Sequence, residues 1–161
     1  MEFSVIIPTF NNLEYLKLCI KSLLKNSKFK HELIFHVNEG KDGSLNYLKD
    51  QNYKYSYSAS NAGVCVAFNE AVKLATKKYV VLGHDDMYFC PNWDTVFIEE
   101  IKKHHEDKDF FISGTMVQPF ASYLEFDCGK SYQDFDEVKL LSKINSIPFD
   151  DFQGTHWQPS L

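Results

Sequence analysis

The four cysteines, Cys19, Cys65, Cys90 and Cys128, stand far apart in the chain, and no CxxC pair occurs. Thiols in that arrangement read as reduced, and the expected compartment is the cytoplasm. No charged-then-apolar leader precedes the first apolar stretch at Phe3. No apolar run approaches the roughly 20 residues of a membrane span, so no transmembrane segment is expected. Basic clusters are missing too: beyond scattered lysine pairs there is no electrostatic footprint for nucleic acid or an anionic membrane surface, and the net charge is −5. A phosphate-bearing ligand would therefore need a metal to offset repulsion. There is no internal repeat, low-complexity tract or linker.

What remains is a globular composition. A length of 161 residues with 44% hydrophobic and 16% aromatic content is enough for one domain with a substantial core. The chain is organised around Lys78 to Met87, where the apolar run Tyr79-Val80-Val81-Leu82 is followed by Gly83, His84, Asp85 and Asp86. That pattern predicts a buried parallel strand whose carboxyl end delivers acid groups into a crevice, the place where open α/β sheets bind ligands.

Upstream, Phe3 to Pro8 reads as a β-branched strand stopped by proline, with Asn11 or Asn12 capping the helix that follows. Leu13, Leu16, Ile20, Leu23 and Leu24 recur at helical spacing as its core face. A second strand spans Leu33 to Val37, then a polar, glycine-broken turn over Asn38 to Ser44 leads into a short helix through Leu48. A third strand is expected around Lys54 to Ser58. Ser60-Asn61-Ala62-Gly63 opens a helix with Val64, Ala67, Phe68, Ala71, Val72 and Ala75 inward. Strand and helix alternate with short links from residue 3 to 86, which argues a doubly wound sheet with right-handed crossovers. Beyond Pro91, a helix from Trp93 to about His105 should bury Trp93, Val96, Phe97 and Ile101. Phe110 to Gly114 reads as another strand and Ser122 to Phe126 as an extended segment. Asp134-x-x-Glu137 opens a last helix with Phe135, Val138, Leu141 and Ile144 on one face.

Three stretches together carry a resemblance: Val5 to Asn12, Ser60 to Val64 with Asn69, and Leu82 to Asp86 followed by Pro91 and Trp93. In this order and spacing they resemble the nucleotide-sugar half of family 2 glycosyltransferases over about residues 3 to 116. The resemblance implies the GT-A fold, a Rossmann-like three-layer α/β/α arrangement with a mainly parallel sheet. It implies a single domain over residues 1–161, with the nucleotide-sugar-binding part at 1–116 and the start of an acceptor part at 117–161. The implied reaction is metal-dependent, inverting transfer of a sugar from a nucleoside diphosphate donor to an acceptor hydroxyl of unidentified glycan, lipid-linked sugar or protein. Such an enzyme would be cytoplasmic, peripheral at the inner face of a membrane. Carried over by position, Pro8, Thr9, Asn11 and Asn38 line the nucleotide pocket, and Asn61 and Gly63 lie on the diphosphate side. His84 stands where a first aspartate often stands, Asp85 falls to ribose or sugar, and Asp86 to Mn2+ or Mg2+.

These residue types suit that chemistry. A diphosphate leaving group gains negative charge as the glycosidic bond breaks, and a hard divalent cation held by carboxylate oxygens stabilises it. Gly63 admits close approach of backbone and lets a helix N-terminus offer free N–H groups to phosphate. A nucleotidyltransferase is disfavoured because Thr9-Phe10-Asn11-Asn12 carries neither glycine nor lysine. Two features depart from the family pattern. The turn after the second strand has Asn38 and Glu39 where adjacent aspartates are usual. The acidic stretch that supplies the general base is not recognisable, leaving Asp150, Asp151 and His156 as late candidates. The alternative reading is a truncated or non-catalytic nucleotide-sugar-binding module without the base.

Overall fold

The computed structural model describes residues 1–104, 109–120 and 124–147. The chain divides into two compact units, Met1–Asp109 and Phe110–Leu161. The first holds strands β1 (Phe3–Phe10), β2 (Glu32–Asn38), β3 (Lys54–Ser58) and β4 (Tyr79–Leu82), which alternate with helices α1 (Leu13–Asn26), α2 (Ser44–Asp50) and α3 (Val64–Val72), and ends in α4 (Trp93–His104). All pairings are parallel, in the order β3-β2-β1-β4. The chain steps outward from β1 to β3, then crosses back through α3 to β4 on the far side of β1. With right-handed crossovers, this reversal puts α1 and α2 on one face and α3 on the other. Ile6 and Ile34 accordingly pack against Ala71, with Phe68 and Ala75 beside them.

β1 and β2 are buried on both faces because their sequences are nearly continuously apolar, as strands between two helical layers must be. Phe3, Val5, Ile6, Ile7, Ile34, Phe35 and Val37 are all essentially inaccessible. β1 runs through Pro8 instead of stopping there. Ile6 O accepts from Gly83 N, so the even-numbered residues of β1 point their polar groups toward β4. The register with β4 closes at Ile6 and Leu82, so the N–H that Pro8 lacks has no acceptor waiting.

Several expectations are corrected. β4 is an edge among the described strands, not a strand buried on both faces: Val80 is 41% and Leu82 52% exposed. Leu24, Val64 and Val72 are exposed, because the buried stripes of α1 and α3 are narrower than the run of apolar residues. In α4 the buried apolar residues are Ile98 and Ile101, with Asp94 beside them. The N-terminus of α1 is not capped by Asn11 or Asn12; Leu13 N donates to Asp42 Oδ2 at 2.6 Å.

The second unit contains the two-residue strands β5 (Val117–Gln118) and β6 (Leu124–Glu125), paired in parallel, and α5 (Glu137–Asn145). Residues 110–114 form no strand. No described strand pairs with them, Phe111 is 84% exposed, and a lone extended segment leaves its backbone ladder unmade. α5 starts two residues later than the expected box, with Asp136 Oδ1 accepting from Lys139 N, and turns Leu140 inward while Val138 faces solvent.

Candidate functional site

The sheet order reverses between β1 and β4, and a crevice opens at the carboxyl ends of strands at such a point. The residues delivered there are Thr9 and Phe10 from β1, followed by Asn11 and Asn12, and His84, Asp85 and Asp86 after β4. Gly83 N continues the ladder by donating to Ile6 O at 2.9 Å, which fixes where the chain leaves the sheet. Asp85 is half-buried. Burial pushes its carboxyl above the ordinary carboxylate range, and Asp86 adds to this; Thr9, Asn12 and the Phe10 N–H pull the other way. The Thr9 hydroxyl is near enough to favour the charged carboxylate, yet Oγ1 is buried and makes no hydrogen bond of ordinary geometry. A buried hydroxyl held loosely against a half-desolvated acid is a polar pair that a ligand can complete. The His84 ring meets Phe68 of α3 edge-on at 5.6 Å.

The turn after β2 forms the second wall. Glu39, Gly40 and Gly43 all have positive φ, so the chain coils tightly here, and a Cβ on Gly40 would lie 2.9 Å from both Val37 and Leu45 side-chain atoms. Asn11, itself at φ 48°, ties this turn to the one after β1: Oδ1 accepts from Lys41 N at 2.8 Å and Nδ2 donates to Glu39 Oε2 at 3.3 Å. Asp42 bridges the two helices that follow, accepting from Leu13 N and from Ser44 N. Asn38 is 3% exposed, and its Oδ1 accepts from Ala62 N at 2.9 Å. Its carbonyl is therefore already committed to holding the loop before α3. In that loop Gly63 N donates to Asn61 Oδ1, and Gly63 has φ 83° with open space where a Cβ would stand. The glycine is required by its backbone conformation, not by crowding from the protein.

The residues singled out from sequence thus fall into two groups. Thr9 and Asp85 face one another, while Asn11, Asn38, Asn61 and Gly63 build the turns around them; Pro8 sits in β1 and is buried. Asp86 is exposed beside Asp85. Asp150, Asp151 and His156 lie outside the described residues. The sequence reading missed Asn12 as a partner of Asp85 and Asp42 as a double cap; Asp42-Gly43-Ser44 before a helical pattern carried the second signal. The buried histidines serve the scaffold. His36 is bonded through both ring nitrogens to Ser56 and Ser58 hydroxyls, and burial pushes its pKa down. His31 Nε2 lies 3.0 Å from Asp94 Oδ2, which also accepts from Lys28 N and Phe29 N.

A parallel α/β sheet with an acidic loop at its switch point defines a doubly wound α/β class of protein, here with the GT-A architecture. Residues 4–124 match the family model for glycosyl transferase family 2, and the chain belongs to that family. It is 29% identical over 155 residues to an uncharacterised glycosyltransferase of Rickettsia bellii, covering 92% of this chain and 19% of the relative. It is 26% identical over 147 residues to the Escherichia coli glycosyltransferase YibD, covering 88% and 40% respectively. The chain therefore spans between about a fifth and two fifths of the length of these relatives. Among solved structures, S. aureus TarS 1-349 in complex with UDP-GlcNAc superposes with a TM-score of 0.59 at 27% identity, over 65% of this chain and 32% of that chain. Among the described residues no helix is long and apolar enough to cross a membrane.

Proposed function

We propose that the chain binds a nucleoside diphosphate sugar in the crevice between β1 and β4 and supports inverting transfer of the sugar to an acceptor hydroxyl. The observation that carries this reading is the half-buried Asp85, its carboxyl raised by burial, set against the buried Thr9 hydroxyl at the switch point of a family 2 chain. The UDP-GlcNAc complex of TarS supports a nucleotide-sugar donor. Asp85 accepts from ribose or sugar hydroxyls, and Asn11, Asn38, Asn61 and Gly63 shape the base and diphosphate sides.

Mn2+ or Mg2+ fits this donor set in one way. Among the described residues no three His, Cys, Asp or Glu side chains are grouped to hold an ion by themselves. Asp86 would hold such a cation, with the donor supplying further oxygens, as is usual for ions that accompany phosphates. When bound, it offsets charge on the diphosphate leaving group. Asp85 and Asp86 each add negative charge that would otherwise repel phosphate.

Titration with a panel of nucleoside diphosphates in the presence of Mn2+ tests the reading. Asp86→Asn is expected to weaken the diphosphate about tenfold or more and the free nucleoside hardly at all, whereas Asp85→Asn weakens both. Equal effects of Asp86→Asn on the two ligands remove its metal role. A second reading is a donor-holding module without turnover. A transfer assay with labelled donor and a panel of lipid, sugar and peptide acceptors separates the two. Multiple turnover abolished by Asp151→Asn or His156→Ala assigns the acceptor base to this chain.

A further inference from the structure

The buried face of α1 is not wholly apolar. Cys19, Ser22 and Asn26, spaced three and four apart, form a polar stripe that is 0%, 1% and 9% exposed. Buried polar groups need partners, and these find theirs in the loop that carries the acidic pair. Ser22 Oγ donates to Cys19 O at 2.7 Å, leaving its lone pairs free to accept from Phe89 N at 2.9 Å. Asn26 Nδ2 donates to Phe89 O at 2.7 Å and to Tyr88 Oη at 3.0 Å. Both backbone groups of Phe89 are thereby held by α1. At the other end of the loop, Cys19 Sγ approaches His84 O at 3.4 Å, and Met87 N closes a turn onto the same carbonyl at 3.3 Å.

The ring of Phe89 then packs behind the start of the loop. A Cβ on Gly83 would lie 3.0 Å from Phe89 Cζ, and the ring meets Trp93 edge-on at 5.1 Å. Asp85 and Asp86 are consequently suspended in a short loop anchored at both ends on one helix. That helix begins immediately after Thr9 to Asn12, the residues that face Asp85 from the opposite strand. Surface loops of this length are ordinarily mobile, and a carboxylate on a mobile loop must be ordered each time a ligand binds.

Resting on the donor-binding reading above, we infer that Ser22 and Asn26 are positioning residues for the acidic pair. They hold the Gly83–Phe89 loop in the conformation that presents Asp85 and Asp86 to the diphosphate and its cation. Their action is on the loop backbone, so it differs from that of the leucines on the same helix, which fill the core.

The test uses Ser22→Ala and Asn26→Ala in the 161-residue chain, with Leu48→Ala, a buried residue of α2 away from this loop, as a control for lost stability. Two measurements are compared. Hydrogen exchange of the unliganded protein is expected to speed up about tenfold or more at residues 84–89 in the two loop variants, beyond any change in the control. Titration with Mn2+ and the tightest-binding nucleoside diphosphate is expected to show a loss of about tenfold or more in both variants, and a smaller loss for the matching nucleoside, because Asp85 acts on both ligands and Asp86 on the diphosphate alone. Loop exchange no faster than in the control, or equal losses for diphosphate and nucleoside, overturns the inference and leaves donor binding by the parent chain intact. A parent chain that binds no nucleoside diphosphate with Mn2+ overturns the donor reading itself, and the positioning role falls with it.

Discussion

Asp85 carries a pH signature that a purely structural carboxylate would lack. Its folded pKa lies above the ordinary carboxylate range because burial and Asp86 both oppose its charge. A cation, or hydroxyls that donate to the ionised form, favours deprotonation, so binding releases a proton and weakens as pH falls through that raised value. Donor affinity measured between pH 7 and pH 4 is expected to fall earlier than an ordinary aspartate would dictate, and Asp85→Asn is expected to flatten the profile. An unchanged profile in the variant assigns the titration elsewhere. Glu32 shows the opposite behaviour. Burial raises its pKa, but the Lys54 ammonium, the Ser4 hydroxyl and the backbone and hydroxyl of Thr76 outweigh this and hold it at about 2. Its contribution is therefore present above the unfolded value near 4.5 and is lost as pH falls through about 2. With Lys54 half exposed, about 2 kcal/mol is a reasonable size, and Glu32→Gln is expected to remove that much stability at pH 7 but little at pH 2. Urea titrations of both proteins at the two pH values check it.

Between elements, stability rests on side chains that lie far away in sequence. Asp42 caps α1 from the turn after β2 and also accepts from the first residue of α2. Asp42→Ala is expected to cost about 1 kcal/mol in denaturant unfolding and to loosen both helix starts; a loss confined to one helix refutes the double cap. Asp94 does comparable work where α1 leads into β2, accepting from Lys28 N, Phe29 N and His31 Nε2 with its own side chain fully buried. Thr95 N donates to its other oxygen, so removal takes this partner from four donors, and Asp94→Ala is expected to cost roughly 3–5 kcal/mol by the same measurement. These contacts explain what was legible in the sequence. Apolar, β-branched runs, period-3.6 patterns and the regular alternation of elements identified every strand and helix of the first unit, because those features record burial against the sheet. Asp85 and its loop were legible because a glycine and two acids after an apolar run have few purely structural uses. The capping of α1 by Asp42, the inward Ser22 and Asn26, and the Asn38 carbonyl committed to Ala62 N were not, because each joins residues at least 24 apart and leaves no local periodicity.

At the scale of the whole molecule, the two units are unequally built. Nearly all the buried apolar side chains described lie in Met1–Asp109, where β1 and β2 are covered on both faces. In the second unit Leu140 alone among the described apolar residues is buried, while Phe111, Met116, Phe120 and Val138 are more than half exposed. The sequence missed this imbalance because Phe110 to Gly114 is apolar enough to resemble a buried strand, and composition records apolar content without recording what covers it. Burial at roughly 25 cal/mol per Å² supplies most folding free energy, so local opening is cheap where little apolar area is covered. Backbone amides of β1 and β2 are thus expected to exchange only through global unfolding, whereas those of β5, β6 and α5 exchange about a hundredfold faster or more under native conditions. Denaturant should slow the difference toward zero as global unfolding overtakes local opening. Hydrogen exchange followed by mass spectrometry at several urea concentrations reads both behaviours in one experiment. Equal protection in the two units in the absence of urea would mean that Leu140 and its neighbours form a core as cooperative as the parallel sheet.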